Sequence, residues 1–363
     1  MQGRFRTAAE REDIRRFWAS TNIPSHILGE VYPLKPLLSR WSDLVAVDVG
    51  ANKGLWAKAL LNTFPGGVAQ IHMLDPSPEN YRELMEREDS LAFEAADFPK
   101  LSAYPYAAGA RRGTAVLYTN EEGSPLASLY PHSEGGEAST PGSVPLRERL
   151  EVEVVPLDVL LEERGIDHVD ILKLDVEGHE YAVLEGAERA LRAGQIDVLF
   201  WEFGMHQVES RRFFIDFWTF LTERGYDLYA VDDVSARRIE RYERRFENFT
   251  RNFDFAARRR DAPLVQPPEG FDEAEYLAAN PDVTLTVRKG TFESGRQHWL
   301  TLGHQESRPL RSEMRPQPPA DFDEAAYLAA NPSMARAVEA GDFLSGLDHW
   351  MLFGHREPNR KLR

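Results

Sequence analysis

From Leu44 to Asp232 the chain alternates between short apolar, β-branched runs and stretches with helical spacing. LVAVDV (Leu44 to Val49), QIHML (Gln70 to Leu74), VDILKL (Val169 to Leu174) and Ile196 to Trp201 read as buried strands. Tyr104 to Ala108, Thr114 to Tyr118, LEVEVVPL (Leu150 to Leu157) and Tyr226 to Val231 are further expected strands. Helical spacing marks WAKALLNTF, Glu79 to Glu88, Glu180 to Arg192 and Arg211 to Arg224. Another helix is expected from Asp158, whose carboxylate is placed to cap its orphan amides. Strands followed by helices over this length predict a doubly wound α/β sheet with parallel strands and right-handed crossovers.

On either side the pattern changes. Residues 1–40 form an N-terminal helical extension, with a short helix from Arg11 to Ser20 and then prolines at 24, 33 and 36 that interrupt any longer element. Between residues 120 and 145 Gly, Ser, Pro and Glu dominate, the composition of a long surface loop of the kind used as a lid or insertion. The segment 241–260, RYERRFENFTRNFDFAARRR, holds seven arginines, three acids and four phenylalanines. It reads first as a closing strand and linker whose arginines offset an acidic domain, and second as an anion-contact surface. The main domain then runs over 41–266. Beyond Pro267 the sequence repeats: FDEAEYLAANPDV from Phe271 returns as FDEAAYLAANPSM from Phe322, an offset of 51 residues. The register continues through Gly290/Gly341, His298/His349, Trp299/Trp350, Gly303/Gly354 and His304/His355, giving copies at 271–311 and 322–363 within the region 267–363. Each copy is expected to hold two short helices with Asp272 or Asp323 near the first start and Gly290 or Gly341 at the break. The paired histidines read as structural groups bonded to backbone rather than as metal ligands.

Composition narrows the function. The formal net charge of −16 argues against affinity for nucleic acid phosphates. There is no cysteine, which removes disulfides, thiolate metal sites and a thiol nucleophile. The first twenty residues lack the apolar core of a signal peptide, and no run long enough to span a bilayer appears, so a cytoplasmic enzyme is the expectation.

Ligands bind open parallel sheets beyond the carboxyl ends of the strands, and four polar clusters fall there. Asp48-Val-Gly-Ala-Asn-Lys-Gly54 is a tight turn into a helix, with Gly50 free to bring the chain close to a ligand. It lacks the lysine placement of a P-loop and the second glycine of a dinucleotide fingerprint. Asp75 ends the next strand, where a carboxylate can accept both hydroxyls of a ribose. Lys173-Leu-Asp175-Val-Glu177-Gly-His179-Glu180 follows a buried strand, and so many ionisable groups there are costly unless solvated, paired or used. Glu202, with His206 four residues on, completes the set.

The DVGANKG turn, LDPSPENY and above all LKLDVEGHEYAVLEGA resemble the FkbM-type family of S-adenosylmethionine-dependent methyltransferases, over residues 44–232. The resemblance implies a Rossmann-like class I methyltransferase sheet, to which a small, mainly helical C-terminal repeat region is appended. It implies methylation of a hydroxyl on a sugar, glycan or related natural product. Asp48, Gly50, Asn52 and Gly54 match the cofactor turn, Asp75 the ribose-binding acid, and Asn80 lies in the same segment. Asp175, Glu177 and His179 match the signature that faces the reacting centre. The repeats resemble modules attached to bacterial carbohydrate-modifying proteins. Removing the acceptor proton is assigned to His179 or His206, oriented by Asp175 or Glu202; a divalent metal held by Asp175 and Glu202 is not favoured. The partners implied are a small-molecule or glycan acceptor and, through the repeats, another protein or a second copy. The rival readings are an adaptor acting through the repeats and an NAD-dependent oxidoreductase.

Overall fold

The computed structural model describes residues 23–91, 100–131, 148–232, 235–250, 252–304, 308–314, 318–319, 322–340, 343, 345–352 and 354. The expected helix from Arg11 to Ser20, the 120–145 loop beyond residue 131, Gly341 and His355 lie outside them. The chain divides into two compact units at Val265/Gln266.

In the first unit the strands are β1 (Leu44–Val49), β2 (Val68–Leu74), β3 (Lys100–Tyr104), β4 (Tyr106–Ala108), β5 (Gly113–Thr119) and β6 (Glu148–Val155). They continue with β7 (Val169–Leu174), β8 (Ile196–Phe203), β9 (Tyr226–Val231), β10 (Ala236–Arg238) and β11 (Phe253–Arg259). Eight form one sheet in the order β10-β9-β11-β8-β7-β1-β2-β3. The run from β3 to β8 is parallel. β11 is antiparallel to both β8 and β9, and β10 is antiparallel to β9. The wholly parallel expectation therefore fails at this edge, because the 241–260 segment returns along β8 instead of crossing over. A second, three-stranded sheet, β4-β6-β5, was not anticipated. Tyr104 to Ala108 was expected as one strand; Pro105, which has no amide hydrogen to donate, separates β3 from β4 and sends them to different sheets.

Alternation along the strands builds two cores. Leu44 and Ala46 of β1, Ile171 of β7 and Phe200 of β8 face one side with Trp56, Leu60, Leu34 and Leu38. Val47, Val49, Leu172 and Trp201 face the other, against Leu160, Val183, Phe217 and Leu221. With both faces covered, the central strands carry almost no polar residues. Those that do occur are therefore informative.

Several helices differ from expectation. The helix expected over Glu180 to Arg192 is two short ones, Glu180–Glu185 and Glu188–Arg192, separated at Gly186 and Ala187. The helix at Leu157–Arg164 starts one residue before Asp158, whose carboxylate instead accepts from the amides of Arg189 (2.8 Å) and Ala190 (2.9 Å) and so caps the neighbouring Glu188–Arg192 helix. Several arginines of 241–260 are internally engaged. Arg259 pairs with Asp197, Arg260 with Asp227, Arg245 with Glu243, and Arg258 is buried against backbone carbonyls.

At the start of β7 and β8 lies an ionic clamp. Asp170 receives Arg40 through two hydrogen bonds (2.8 and 2.7 Å), and Asp197 receives Arg259 (3.0 Å) and Ser39 (2.6 Å). His168 Nε2 lies 3.5 Å from Asp170 and 3.4 Å from Asp197. Their hydrogen bonds push its pKa up to about 9, while Asp197, although burial opposes this, is held down to about 2.

The second unit holds three helices per copy rather than two: Glu273–Ala279, Pro281–Arg288 and Gly295–His298, then Glu324–Ala330, Pro332–Glu339 and Gly346–Leu352. The break after the first helix falls at Asn280–Pro281 and Asn331–Pro332; Gly290 follows the second helix. Asp272 and Asp323 cap the first helices by accepting from Glu275 N and Ala326 N. His298 and His349 meet the hydroxyls of Tyr276 (2.9 Å) and Tyr327 (2.8 Å), and His304 donates to the Trp299 carbonyl. A Cβ on Gly303 would lie 2.2 Å from the Tyr276 hydroxyl, and one on Gly354 2.5 Å from that of Tyr327. Packing within each copy thus accounts for the repeated Tyr, His and Gly positions.

The clamp stabilises fully below the ordinary histidine pKa of 6.5 and weakens as pH rises through about 9. His168→Gln should therefore lower Tm at pH 7, with the difference from wild type closing by about pH 10. Gly303→Ala should cost the second unit about 1–3 kcal/mol in denaturant unfolding, a loss that Tyr276→Phe in the same chain partly restores.

Candidate active site

The site is built where β1 and β7 end side by side. Gly50 adopts φ +80°, and a Cβ there would sit 1.8 Å from the carbonyl oxygen of Asp175. The expected close approach is therefore made to the neighbouring strand's exit loop. Only glycine allows the Asp48–Gly54 turn and the Asp175–Glu180 loop to meet this way. The turn continues through Asn52 at φ +47° and Gly54 at φ +75°, which opens the helix Leu55–Thr63.

Asp75, at the end of β2, secures the turn from the other side. Its Oδ2 accepts from Asn52 N at 2.8 Å; its Oδ1 accepts from Ser77 N at 2.9 Å and from Asn80 Nδ2 at 3.2 Å. Burial pushes its pKa up to about 6, against the pull of these hydrogen bonds. Asn80 is 1 % exposed, and its Oδ1 has no hydrogen-bond partner. Both residues line a cleft of about 650 Å³, mouth included.

Of the residues singled out in the sequence, Gly50, Asn52, Asp75, Asn80, Asp175, Glu177 and His179 line this cleft. Val176 lines it too. Asp48, Gly54, Glu202 and His206 stand outside the lining. Asp48 is fully buried beneath the turn, its carboxylate 3.5 Å from Lys173 Nζ. The opposite wall belongs to the small sheet and the strap after β5, including Leu117, Pro125 and Leu129. Three contacts tie this strap down. Asn52 Nδ2 donates to Gly123 O (3.5 Å), Ser128 Oγ donates to Glu177 O (2.8 Å), and the Tyr130 hydroxyl meets His179 Nδ1 (3.1 Å).

The third and fourth clusters join through Glu177. Its carboxylate lies 2.7 Å from His206 Nδ1, and His206 Nε2 faces Glu202 at 3.8 Å. Asn252 Nδ2 donates to Glu202 at 2.8 Å. Burial opposes charge on His206, but Glu177, Glu202 and Glu180 raise its pKa. Glu202 is also pushed up, by burial and then by Asp175. His179 differs: burial lowers its pKa to about 4, so it is neutral at ordinary pH. Glu180 is structural. Its carboxylate accepts from the amides of Val176 and Gly178 and from Gln207 Nε2.

Four contributors were given no role by the sequence reasoning. Lys173, the one basic residue in β7, bonds Asp175 at 3.0 Å; although burial opposes its charge, Asp175, Asp48 and Glu30 hold it protonated. Glu30, whose pKa burial pushes up to about 8, feels Lys173, Asp175 and Asp254 from a segment that offered no signal at all. Asp254 stands opposite Glu202 in the β8–β11 register, and Asn252 is two residues away. A lysine near the carboxyl end of a strand that carries only one other polar residue, Asp170, was the available clue to Lys173. Among the described residues the group able to gather three metal-ligating atoms within 4.8 Å is His168, Asp170 and Asp197, at the opposite strand ends, where Arg40, Arg259 and Ser39 already engage the carboxylates. No helix among the described residues is long and apolar enough to cross a membrane.

Residues 48–228 match the family model of the methyltransferase FkbM domain. No curated protein matches the chain. Among solved structures, a methyltransferase FkbM from Methylobacillus flagellatus KT is 16% identical, with 60% of this chain and 44% of that chain covered and a TM-score of 0.37. The chain thus spans less than half of that protein's length. An O-methyltransferase from Bacillus cereus in complex with SAH is 11% identical (70% and 93% covered, TM-score 0.34). A precorrin-6y C5,15-methyltransferase from Geobacter metallireducens GS-15 is 12% identical (64% and 87%, TM-score 0.31). The stretch that matches the methyltransferase FkbM domain, residues 48–228, contains the Asp48–Gly54 turn, Asp75 and the Asp175–His206 cluster.

Proposed function

We propose that the cleft binds S-adenosylmethionine and that the protein methylates a hydroxyl of a sugar, glycan or related acceptor. The observation that carries this reading is the convergence of Asn52, Asp75 and Asn80 on the same cleft as Asp175, Glu177 and His179. The buried, unpartnered Asn80 Oδ1 and the remaining lone pairs of Asp75 suit ribose hydroxyls. Leu117, Pro125 and Leu129 offer an apolar wall to a flat heterocycle.

Charge separates this reading from the dinucleotide rival. Asp48 and Asp175 flank the buried Lys173, with Glu30 near it, an arrangement that leaves no surplus positive charge for a pyrophosphate. When bound, S-adenosylmethionine supplies an electrophilic methyl group for direct displacement. This chain's part is alignment and proton handling. Glu202 and His206, both shifted upward, act as the proton-accepting pair once the pair has given up a proton, with Glu177 holding His206 and Asn252 holding Glu202. His179 keeps a neutral edge on the cleft, against Gly109 on one side and Tyr130 on the other. The repeats would dock the acceptor, a partner protein or a second copy.

Calorimetric titration tests the cofactor: saturable binding of S-adenosylmethionine and S-adenosylhomocysteine with NAD silent is expected, and the reverse would end the reading. Asp75→Asn should weaken S-adenosylhomocysteine about 10- to 100-fold, the worth of one or two charge-assisted hydrogen bonds. Affinity should fall as pH drops through about 6, where Asp75 takes up a proton. Gly50→Ala should abolish binding, since the turn and the Asp175 loop can no longer touch. With methyl-labelled cofactor and a panel of hydroxylated acceptors, Glu202→Gln and His206→Asn should each lower transfer by about 10²–10⁴-fold while cofactor affinity holds.

A further inference from the structure

Glu177 is a non-glycine residue at φ +51°, a conformation that must be imposed by its surroundings. The peptide joining Glu177 to Gly178 is gripped at both polar ends. Its carbonyl oxygen accepts from Ser128 Oγ at 2.8 Å, and its N–H donates to Glu180 Oε1 at 3.2 Å. Glu180 comes from the helix below, and Ser128 from the strap above. Ser128 is itself immobilised. It is 1 % exposed, exchanges backbone hydrogen bonds with Tyr118 in both directions, and its Oγ accepts from Tyr130 N at 3.1 Å. With this peptide plane fixed, the Glu177 carboxylate reaches His206 Nδ1 at 2.7 Å.

We propose that Ser128 is a positioning residue for the proton-accepting pair, acting through the Glu177–Gly178 peptide to aim Glu177 at His206. The inference rests on the assignment of Glu202 and His206 as that pair. Without the hydroxyl the Glu177 carbonyl loses its partner and only the Glu180 contact still holds the peptide, while Gly178, at φ +101°, adds no side-chain resistance to its rotation. Glu177 then releases His206, which keeps Glu202 at 3.8 Å and the more distant Glu180 as its charged neighbours. The strap that carries Ser128 also lines the cleft through Ser124, Pro125, Ala127 and Leu129. One segment therefore touches both the cofactor site and the support of the base.

The test is an NMR titration of the His206 imidazole in the full chain. Ser128→Ala should lower its midpoint by about one pH unit, roughly tenfold in proton affinity. Ser128→Thr, which keeps a hydroxyl, should restore it. Glu177→Gln should lower it at least as far, and the double variant should go no lower than Glu177→Gln alone, because both act through one contact. A wild-type midpoint in Ser128→Ala, or additive shifts in the double variant, would overturn the proposal. The titration needs neither cofactor nor acceptor. Failure of the wild-type chain to bind S-adenosylhomocysteine would count against the methyltransferase reading, while the Ser128 comparison would still be decided by the midpoints.

Discussion

The site depends on the backbone contact between Gly50 and the carbonyl of Asp175. Parallel pairing of β1 and β7 brings the two chain exits level, and the absence of a side chain at Gly50 lets them touch. From that contact the rest is distributed. Asp75 and Asn80 secure one side of the turn, Glu180 and Ser128 secure the loop on the other, and Glu177 carries the arrangement across to His206 and Glu202. Sheet register here sets the geometry of the chemistry directly.

Electrostatics stem from the same placement. Buried carboxylates are tolerated only when paired, hydrogen-bonded or protonated. Asp197 and Asp170 take the first course at the amino ends of β7 and β8, where Arg40, Arg259 and His168 neutralise them. At the carboxyl ends one lysine serves several acids, and Glu30 and Glu202 respond with raised pKa values. The amino-end cluster is thus satisfied by the protein alone. The carboxyl-end cluster is not neutralised in that way, and its buried acids are held partly protonated instead.

Much of this was legible in the chain. LVAVDV, QIHML and VDILKL are apolar because both faces of the central strands are covered, and their acidic exits mark the crevice. What escaped were relations set by distant pairing. The β11 strand begins with phenylalanines and ends in arginines, and found its place only by returning along β8. Asp158 lies in one helix and caps another. Glu202 and Asp175 were expected to orient a histidine, yet Glu177 holds His206, through a left-handed backbone that no local pattern announces. Glu30, Asn252 and Ser128 come from segments far from either motif, and nothing in their neighbours' sequence signals where they go. The repeats were visible as repeats, but Asn-Pro rather than glycine divides their helices, since proline suits the first helical turn.

The most direct test of the central claim is a crystal structure of the full chain with S-adenosylhomocysteine. The account predicts the ribose hydroxyls on Asp75 and the sulfur in the part of the cleft bounded by Asp175 and Glu177. A nucleoside bound away from Asp75, or pointing its sulfur away from the Asp175–His206 cluster, would contradict it.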